Sequence, residues 1–509
     1  MWARHRLEGV TAVVAAVLGA AYLALPPMGS DLAAQVSRAD FFTAHGYTPI
    51  DLRWYGGVNQ LGYSLVSQPV MALAGVRVTG VLALVGAAVL LAVLFRRTGA
   101  ARPWLGALAG AACIAGNLVS GRVTYGLGVF FGLAALVALT VPRLRPLAPL
   151  MALVAAATSP VAGLFLGLAG VALLLSGRVT DGLLIAVPAA VPLGISGLLL
   201  GDGGWMNISR LDATRAVVAG LLVAVLVPAR PVRIAGLLSS IGVLAAALIH
   251  TPVGLNATRL TVMFTLPVLA AYAALPRPRP LPIGAVALLL AAVCWGQPPV
   301  VVADLRDIGN PTADPAYFTP LRDRLRQETL TGRVEIPSTR DYWEAAYLGD
   351  VPLARGWLRQ ADIDRNPLFF TTVPGARGTG VALTPESYRA WLTEQAVQFV
   401  AVPDAELHWA GRPEAAMITA GLPYLTEIWH GRHWRLYRVA DPRPIVAPPA
   451  ALVARTAAAV TFDAPAAGEV PVRIRWYPWL SATNGATVQR QGDWTLIRVP
   501  GPGRFTVAS

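Results

Sequence analysis

Lysine is missing altogether: every one of the 41 basic residues is arginine. With the richness in Ala, Gly, Val, Leu and Pro, this reads as coding bias in a high-GC bacterium. Charge is also scarce, at 14% of residues against roughly a quarter in soluble domains. That shortfall excludes an ordinary soluble enzyme, and a disordered chain, which needs more charge and fewer apolar residues. There are two cysteines, Cys113 and Cys294, both inside apolar runs. They exclude a disulfide framework and a cysteine zinc site. His430 and His433, with His408 upstream, lack a matched acid or cysteine, so no metal ligands are assigned. The chain has no convincing Walker loop, dinucleotide fingerprint, HExxH motif or GxSxG triad.

What the chain does have is apolar sequence, 55% of 509 residues, with a mean hydropathy of +0.56. A helix that crosses a bilayer core needs about 20 mostly apolar residues. Such runs recur at 9–27, 76–95, 104–120, 122–141, 147–158, 160–176, 183–200, 214–229, 232–250, 260–276 and 281–296, and then stop. The fold expected is an α-helical polytopic membrane protein with about eleven transmembrane helices. The fifth and sixth runs are short and are split by Thr158-Ser159-Pro160. They read as one kinked span or as a broken hairpin buried in protein.

The formal charge of +13 resembles that of a nucleic-acid binder until it is located. Residues 1–296 hold nineteen arginines against seven acids, and the tail holds nearly equal numbers. With the N-terminus in the cytoplasm, Arg4, Arg6, Arg96, Arg97, Arg102, Arg143, Arg145, Arg178, Arg230, Arg233, Arg277 and Arg279 all face inward, provided 147–176 is a hairpin. The charge is then a topology signal, and no nucleic-acid partner is expected. The location implied is the inner (plasma) membrane, multi-pass, with residues 297–509 extracytoplasmic. That tail has alternating strand-like runs at 398–402, 434–439 and 470–476, and helical patterns near 316–329 and 385–396. We read 297–440 as an α/β domain, 441–450 as a Pro-rich linker, and 441–509 as a small β-sandwich-like module.

The outer loop 28–75 carries the most information. Residues 31–44 and about 59–74 have amphipathic helical spacing, and two such helices would lie flat on the bilayer. Asp31 stands at the outer end of the first span, where a carboxylate is a fitting general base. Ser30-Asp31 equally fits a plain helix N-cap. The string Gly29-Ser30-Asp31, Gly46-Tyr47-Thr48-Pro49, Trp54-Tyr55-Gly56-Gly57 and Tyr63-Ser64 resembles the first loop of a membrane-protein branch often labelled "6-pyruvoyl-tetrahydropterin synthase-related". The layout of 1–296 resembles the GT-C superfamily of polytopic glycosyltransferases.

The resemblance implies a polyprenyl-phosphate sugar donor, an envelope glycan or glycolipid acceptor, and chemistry at the outer face of the bilayer. It implies Asp31 as base, with Asp40 the next acid in the loop. Such loops often carry two close acids or an acid and a histidine. Here Asp40 is nine positions on and position 35 is Gln, so a divalent cation has little support and the cofactor stays unknown. A leaving phosphate needs cationic donors. Arg259, in a turn with His250 and Asn256, is first choice, and Arg122 is second. Arg53, Trp54 and Tyr55 could hold a sugar, or anchor an aromatic belt. In the tail, Glu335, Trp343, Glu344, Arg355 and Trp357 have the composition of a carbohydrate surface, or of an ordinary α/β core. Two other functions stay open: a non-catalytic envelope-assembly scaffold, and a lipid or polysaccharide transporter.

Overall fold

The computed structural model describes residues 5–274, 281–373 and 379–509. Arg4, Arg277, Arg279 and the end of the 260–276 run lie outside the described residues. Each of the eleven apolar runs contains a helix. Five of these are long and apolar enough to cross a membrane: Arg6–Ala24, Val76–Arg97, Val179–Leu199, Arg230–Leu248 and Gly254–Tyr272. Five more are apolar but shorter: Pro103–Val119, Val123–Leu139, Arg145–Thr158, Pro160–Leu175 and Ile283–Gly296. Arg210–Leu226 opens with Arg210, Asp212 and Arg215, and belongs to neither set. The count of eleven crossings therefore does not carry over, but the chain is a multi-pass membrane protein. Its helices are apolar on all sides, as lipid-facing and buried helices both require.

The segment 147–176 turns back on itself. Ala148–Thr158 ends at Ser159, whose hydroxyl caps Pro160–Leu175 by accepting from the Ala162 N–H. A Cβ at Gly163 would lie 2.6 Å from that of Ala156, so the two helices touch one turn from the break. An 11-residue helix is about 16 Å long, half a bilayer core. The hairpin tip is buried, and the Ala157 carbonyl accepts from the Leu65 N–H at 2.9 Å.

The arginines divide between the two ends of the bundle. At one end Arg96 pairs with Glu8, Arg145 and Arg178 share Asp181, Arg97 bonds Thr140, and Arg102 donates to the Ala270 and Ala273 carbonyls. At the other end lies the loop 28–75. Its first helix is Leu32–His45, followed by a two-stranded ribbon of Ile50–Asp51 and Val58–Asn59, then helix Ser67–Ala74. The second helix is shorter than expected because Asn59 and Ser64 fold 59–66 into turns, accepting from the amides of Leu61, Gly62, Val66 and Ser67. The first helix is largely enclosed by protein. Leu32, Ala33, Ala34, Gln35, Ser37, Arg38, Ala39 and Phe41 are all buried, because the tail domain covers the face that the bundle does not.

The tail begins with a mixed sheet. Arg333–Glu335 runs parallel to Val397–Pro403, which pairs antiparallel with Trp434–Val439 and through it with Leu425–His430. Helices Thr319–Arg326 and Pro385–Glu394 flank it. Residues 451–508 form two facing sheets, of four and three strands, around Val460, Phe462, Val472, Ile497 and Phe505. The Pro-rich stretch is no free linker: Ile445 donates to Thr331 and accepts from Arg473, tying both parts together. The tail seats on the first loop through backbone bonds from Leu353 to Arg53, from Leu52 to Ala457 and from Arg475 to Gly56, each 2.7 Å.

Candidate active site

Asp31 precedes the helix Leu32–His45 but does not cap it with its side chain. Its carboxylate is turned toward the bundle instead. Arg122 Nε donates to Oδ2 at 3.2 Å, and Arg259 Nη2 donates to the same oxygen at 3.1 Å. These three residues are 91 and 228 positions apart in sequence. Two tight turns bring them together. Gly29 (φ 108°) and Gly121 (φ 74°) are both left-handed, and a Cβ on either would strike backbone of the other turn at about 2.5 Å. The Asp31 N–H donates to the Ser120 carbonyl across this contact.

The geometry leaves donors and an acceptor unspent. Asp31 Oδ1 has no hydrogen-bond partner among the described residues. Each arginine uses a single nitrogen on Asp31, and a guanidinium carries five N–H groups. The side chains of Asp31, Arg122 and Arg259 are 15%, 20% and 17% exposed, so the cluster is half-open. Tyr125 lies under Arg259, ring to guanidinium 5.6 Å. Tyr63 borders the same site. Its hydroxyl accepts from Gln35 Nε2 at 2.9 Å, and Arg38 stacks on its ring at 3.9 Å. Burial pushes the Tyr63 phenol up, with Arg38 opposing and Asp31 adding, so it remains a donor at neutral pH. Trp357, from the tail, packs edge-on against Tyr63, and its Nε1–H donates to the Ser30 carbonyl at 3.4 Å.

An apolar cavity of about 360 Å³ lies inside the bundle. Tyr125, Leu260 and Thr261 line the end under Arg259, and Thr98, Thr140 and Arg178 line the opposite end. The cavity therefore extends from beneath Arg259 toward the arginine-rich end, and Asp31, Arg122 and Arg259 do not themselves line it.

The other sequence-assigned residues are placed differently. Asp40 is exposed, half a turn around and over two turns along the helix from Asp31, and cannot share its chemistry. His250 stacks on Trp205, centroids 4.0 Å apart, and Asn256 is buried in its own turn; neither bonds Asp31 or Arg259. Arg53 is buried on Asp51 at 2.7 Å and on the Ser37 carbonyl. Trp54 is fully buried against Gly356. Tyr55 is also buried and donates to the Gly356 carbonyl at 2.6 Å. These three hold the tail to the loop and offer no face to a sugar.

Glu335, Trp343, Glu344 and Arg355 are interior residues as well. Trp343 stacks on Tyr347, and Glu344 accepts from the Thr339 hydroxyl. Arg355 forks onto Asp362 at 2.9 Å, donates to Glu414 at 3.1 Å and faces Glu335 at 3.6 Å. Burial and the neighbouring Glu414 push Glu335 well above the usual carboxylate range, and burial pushes Glu414 up to about 7. Of the five tail residues assigned to a carbohydrate surface, only Trp357 reaches the Asp31 site.

The sequence reading missed Asp304, which lies beside the site in the short helix Val302–Arg306. The signal was present: it is the first acid after the last apolar run, as Asp31 is the first after the first. A divalent cation does not fit this donor set. Asp31 Oδ2 is held by two guanidinium groups, both Asp304 oxygens are occupied, and no three acids, histidines or cysteines gather among the described residues.

No protein-family model and no curated protein matches the chain. Among solved structures it is similar to the cryo-EM structure of arabinofuranosyltransferase AftD from Mycobacteria, with a TM-score of 0.45 and 16% identity, covering 87% of this chain and 40% of that one. Two structures of a mutant of the same enzyme give TM-scores of 0.44 and 0.43 at 15% identity, covering 42% of each. The chain thus spans less than half the length of the solved proteins it resembles.

Proposed function

We propose that the chain is a membrane glycosyltransferase. It moves a sugar from a polyprenyl-phosphate donor to an envelope glycan or glycolipid acceptor at the outer face of the inner membrane, the end of the bundle that carries Asp31. One observation carries this reading. Two arginines from distant segments converge on a partly exposed carboxylate, and an apolar cavity begins beneath one of them, at Tyr125 and Leu260. A phosphate attached to a long apolar chain matches both parts: the N–H groups left free on Arg122 and Arg259 suit the phosphate, and the cavity suits the chain. The acceptor hydroxyl gives its proton to Asp31 Oδ1 as its oxygen bonds the anomeric carbon. The bond from that carbon to phosphate oxygen breaks, and its electron pair leaves with the polyprenyl phosphate. The arginines stabilise the charge that develops there, and Trp357 and Tyr63 frame the acceptor side.

The test is Asp31→Asn in the purified full chain, assayed with polyprenyl-phosphate arabinose, mannose and galactose donors. Loss of a general base lowers turnover by about 10²–10⁴-fold, and the melting temperature should hold. Full transfer by Asp31→Asn would remove Asp31 as base. Mass spectrometry of envelope glycolipids from a deletion strain, complemented with wild type or variant, identifies the product.

A further inference from the structure

Asp304 is 4% exposed and comes from outside both turns that build the site. Its Oδ1 accepts from the Ser30 N–H at 3.2 Å, and its Oδ2 accepts from the Ser120 hydroxyl. Ser30 adjoins Asp31, and Ser120 lies two residues before Arg122. One carboxylate therefore holds the turn that carries the base and the turn that carries an arginine. The chain on its N-terminal side is fixed too: a Cβ at Gly116 would lie 1.8 Å from the Pro299 carbonyl and 3.2 Å from the Val300 backbone, so residues 299–300 press on the last turn of Pro103–Val119. Burial pushes the Asp304 carboxyl up, against the Ser120 hydroxyl and the Arg122 charge. Burying a carboxylate beside another is costly unless its hydrogen bonds are satisfied. Here both oxygens are used on the two site-bearing turns, which is more than anchoring the outer domain requires.

We propose that Asp304 is a positioning residue of the transferase site, clamping the Ser30 and Ser120 turns so that Asp31 and Arg122 meet in productive geometry. The inference rests on the reading of Asp31 and Arg122 as catalytic groups. The clamp works through hydrogen bonds. Asn at 304 can keep both, its carbonyl accepting from the Ser30 N–H and its amide donating to the Ser120 hydroxyl, whereas Ala keeps neither.

The experiment compares Asp304→Ala, Asp304→Asn and Ser120→Ala in the full chain. Misplacing a catalytic group by about 1 Å costs up to 10²-fold. Asp304→Ala should lower kcat by about 30-fold with donor KM within about threefold. Asp304→Asn should recover to within about fivefold of wild type, and Ser120→Ala, which removes one bond and is the milder probe if Asp304→Ala misfolds, should lose about fivefold. Hydrogen exchange reads the clamp without any substrate: the Ser30 and Asp31 amides and residues 119–122 should exchange about tenfold faster in Asp304→Ala. Wild-type kcat in Asp304→Ala, an Asn variant as poor as Ala, or unchanged exchange at these turns would overturn the clamp. Faster exchange at both turns in a protein that transfers no sugar would sustain the clamp and defeat the transferase reading.

Discussion

The molecule holds two charge clusters of opposite composition. At the head of the bundle two arginines share one carboxylate oxygen, and all three side chains are 15–20% exposed. In the tail three carboxyls surround one arginine, and all four side chains are 0–2% exposed. In the buried cluster Arg355 bonds Asp362 and Glu414 and faces Glu335 at 3.6 Å, Tyr388 and Asn366 take up further oxygens, and both Glu335 oxygens are left without a hydrogen-bond donor among the described residues. Burial and the crowding of carboxyls favour the protonated forms of Glu335 and Glu414. The half-open cluster has spare cationic donors and, among the described residues, no protein group that receives them. Residue types alone do not separate the two, since both mix Arg, Asp and aromatic rings. Exposure separates them: one cluster is sealed inside the tail, and the other is open enough to receive a ligand, as the proposed function requires.

Breaking the closed cluster should have the largest effect. Arg355→Met leaves three buried carboxyls without their cation. Removing one partner of a buried pair costs about 3–5 kcal/mol, so the variant should melt much lower or be cleaved in the tail by limited proteolysis. Arg355→Lys keeps the charge but loses the fork onto Asp362 and should fall between. A melting curve equal to wild type would mean that the cluster is not load-sharing in the fold.

The half-open cluster should answer in the opposite way. Arg259→Ala removes a donor that we assign to the leaving phosphate, a loss of about 10²–10³-fold in turnover, while melting should fall less than in Arg355→Met, because Asp31 keeps its bond to Arg122 and the pair is 15–17% exposed rather than sealed. Arg122→Ala should behave alike. The double variant should fall short of the product of the two single losses, since both arginines act on one oxygen and one phosphate. If either arginine proves thermally costly and catalytically neutral, the contrast between the clusters collapses.

The bundle was legible from the sequence because apolar runs and arginine bias are local signals. The eleven runs and the break at Ser159-Pro160 could be read directly, although run length did not tell which helices cross a bilayer. Asp31, Arg122 and Arg259 were named, but their meeting depends on Gly29 and Gly121 turns packed across two segments, and no spacing rule encodes that. Arg53, Trp54, Tyr55, Glu335, Trp343, Glu344 and Arg355 misled for one reason. Their polar and aromatic character suits a sugar surface, and it equally suits buried positions: Arg53, Trp54 and Tyr55 where loop meets tail, and Glu335, Trp343, Glu344 and Arg355 in the interior of the tail. Asp304 escaped notice because its role exists only once the segment after Ile283–Gly296 folds back onto the first loop.

The smallest effect expected is a pH dependence in the tail. Glu344 is 3% exposed, and burial pushes its carboxyl from 4.5 up to about 7, against the Thr339 hydroxyl and backbone bonds that favour the anion. Between those two values the folded protein keeps a proton that the unfolded chain releases. The stabilising contribution is therefore fully present below about pH 4.5, falls as pH rises to about 7, and is flat above. Its size is at most about 3 kcal/mol. Glu344→Gln cannot ionise and can still accept from Thr339, so it should melt a few degrees above wild type at pH 8, with the difference closing toward pH 5. The helix Glu344–Tyr347 packs on Leu32–His45 but touches none of Asp31, Arg122 and Arg259, so turnover should not follow the melting shift. A variant that raises the melting temperature and lowers turnover together would show that the rigid tail and the half-open site are coupled through that helix, and the two clusters would have to be treated as one system.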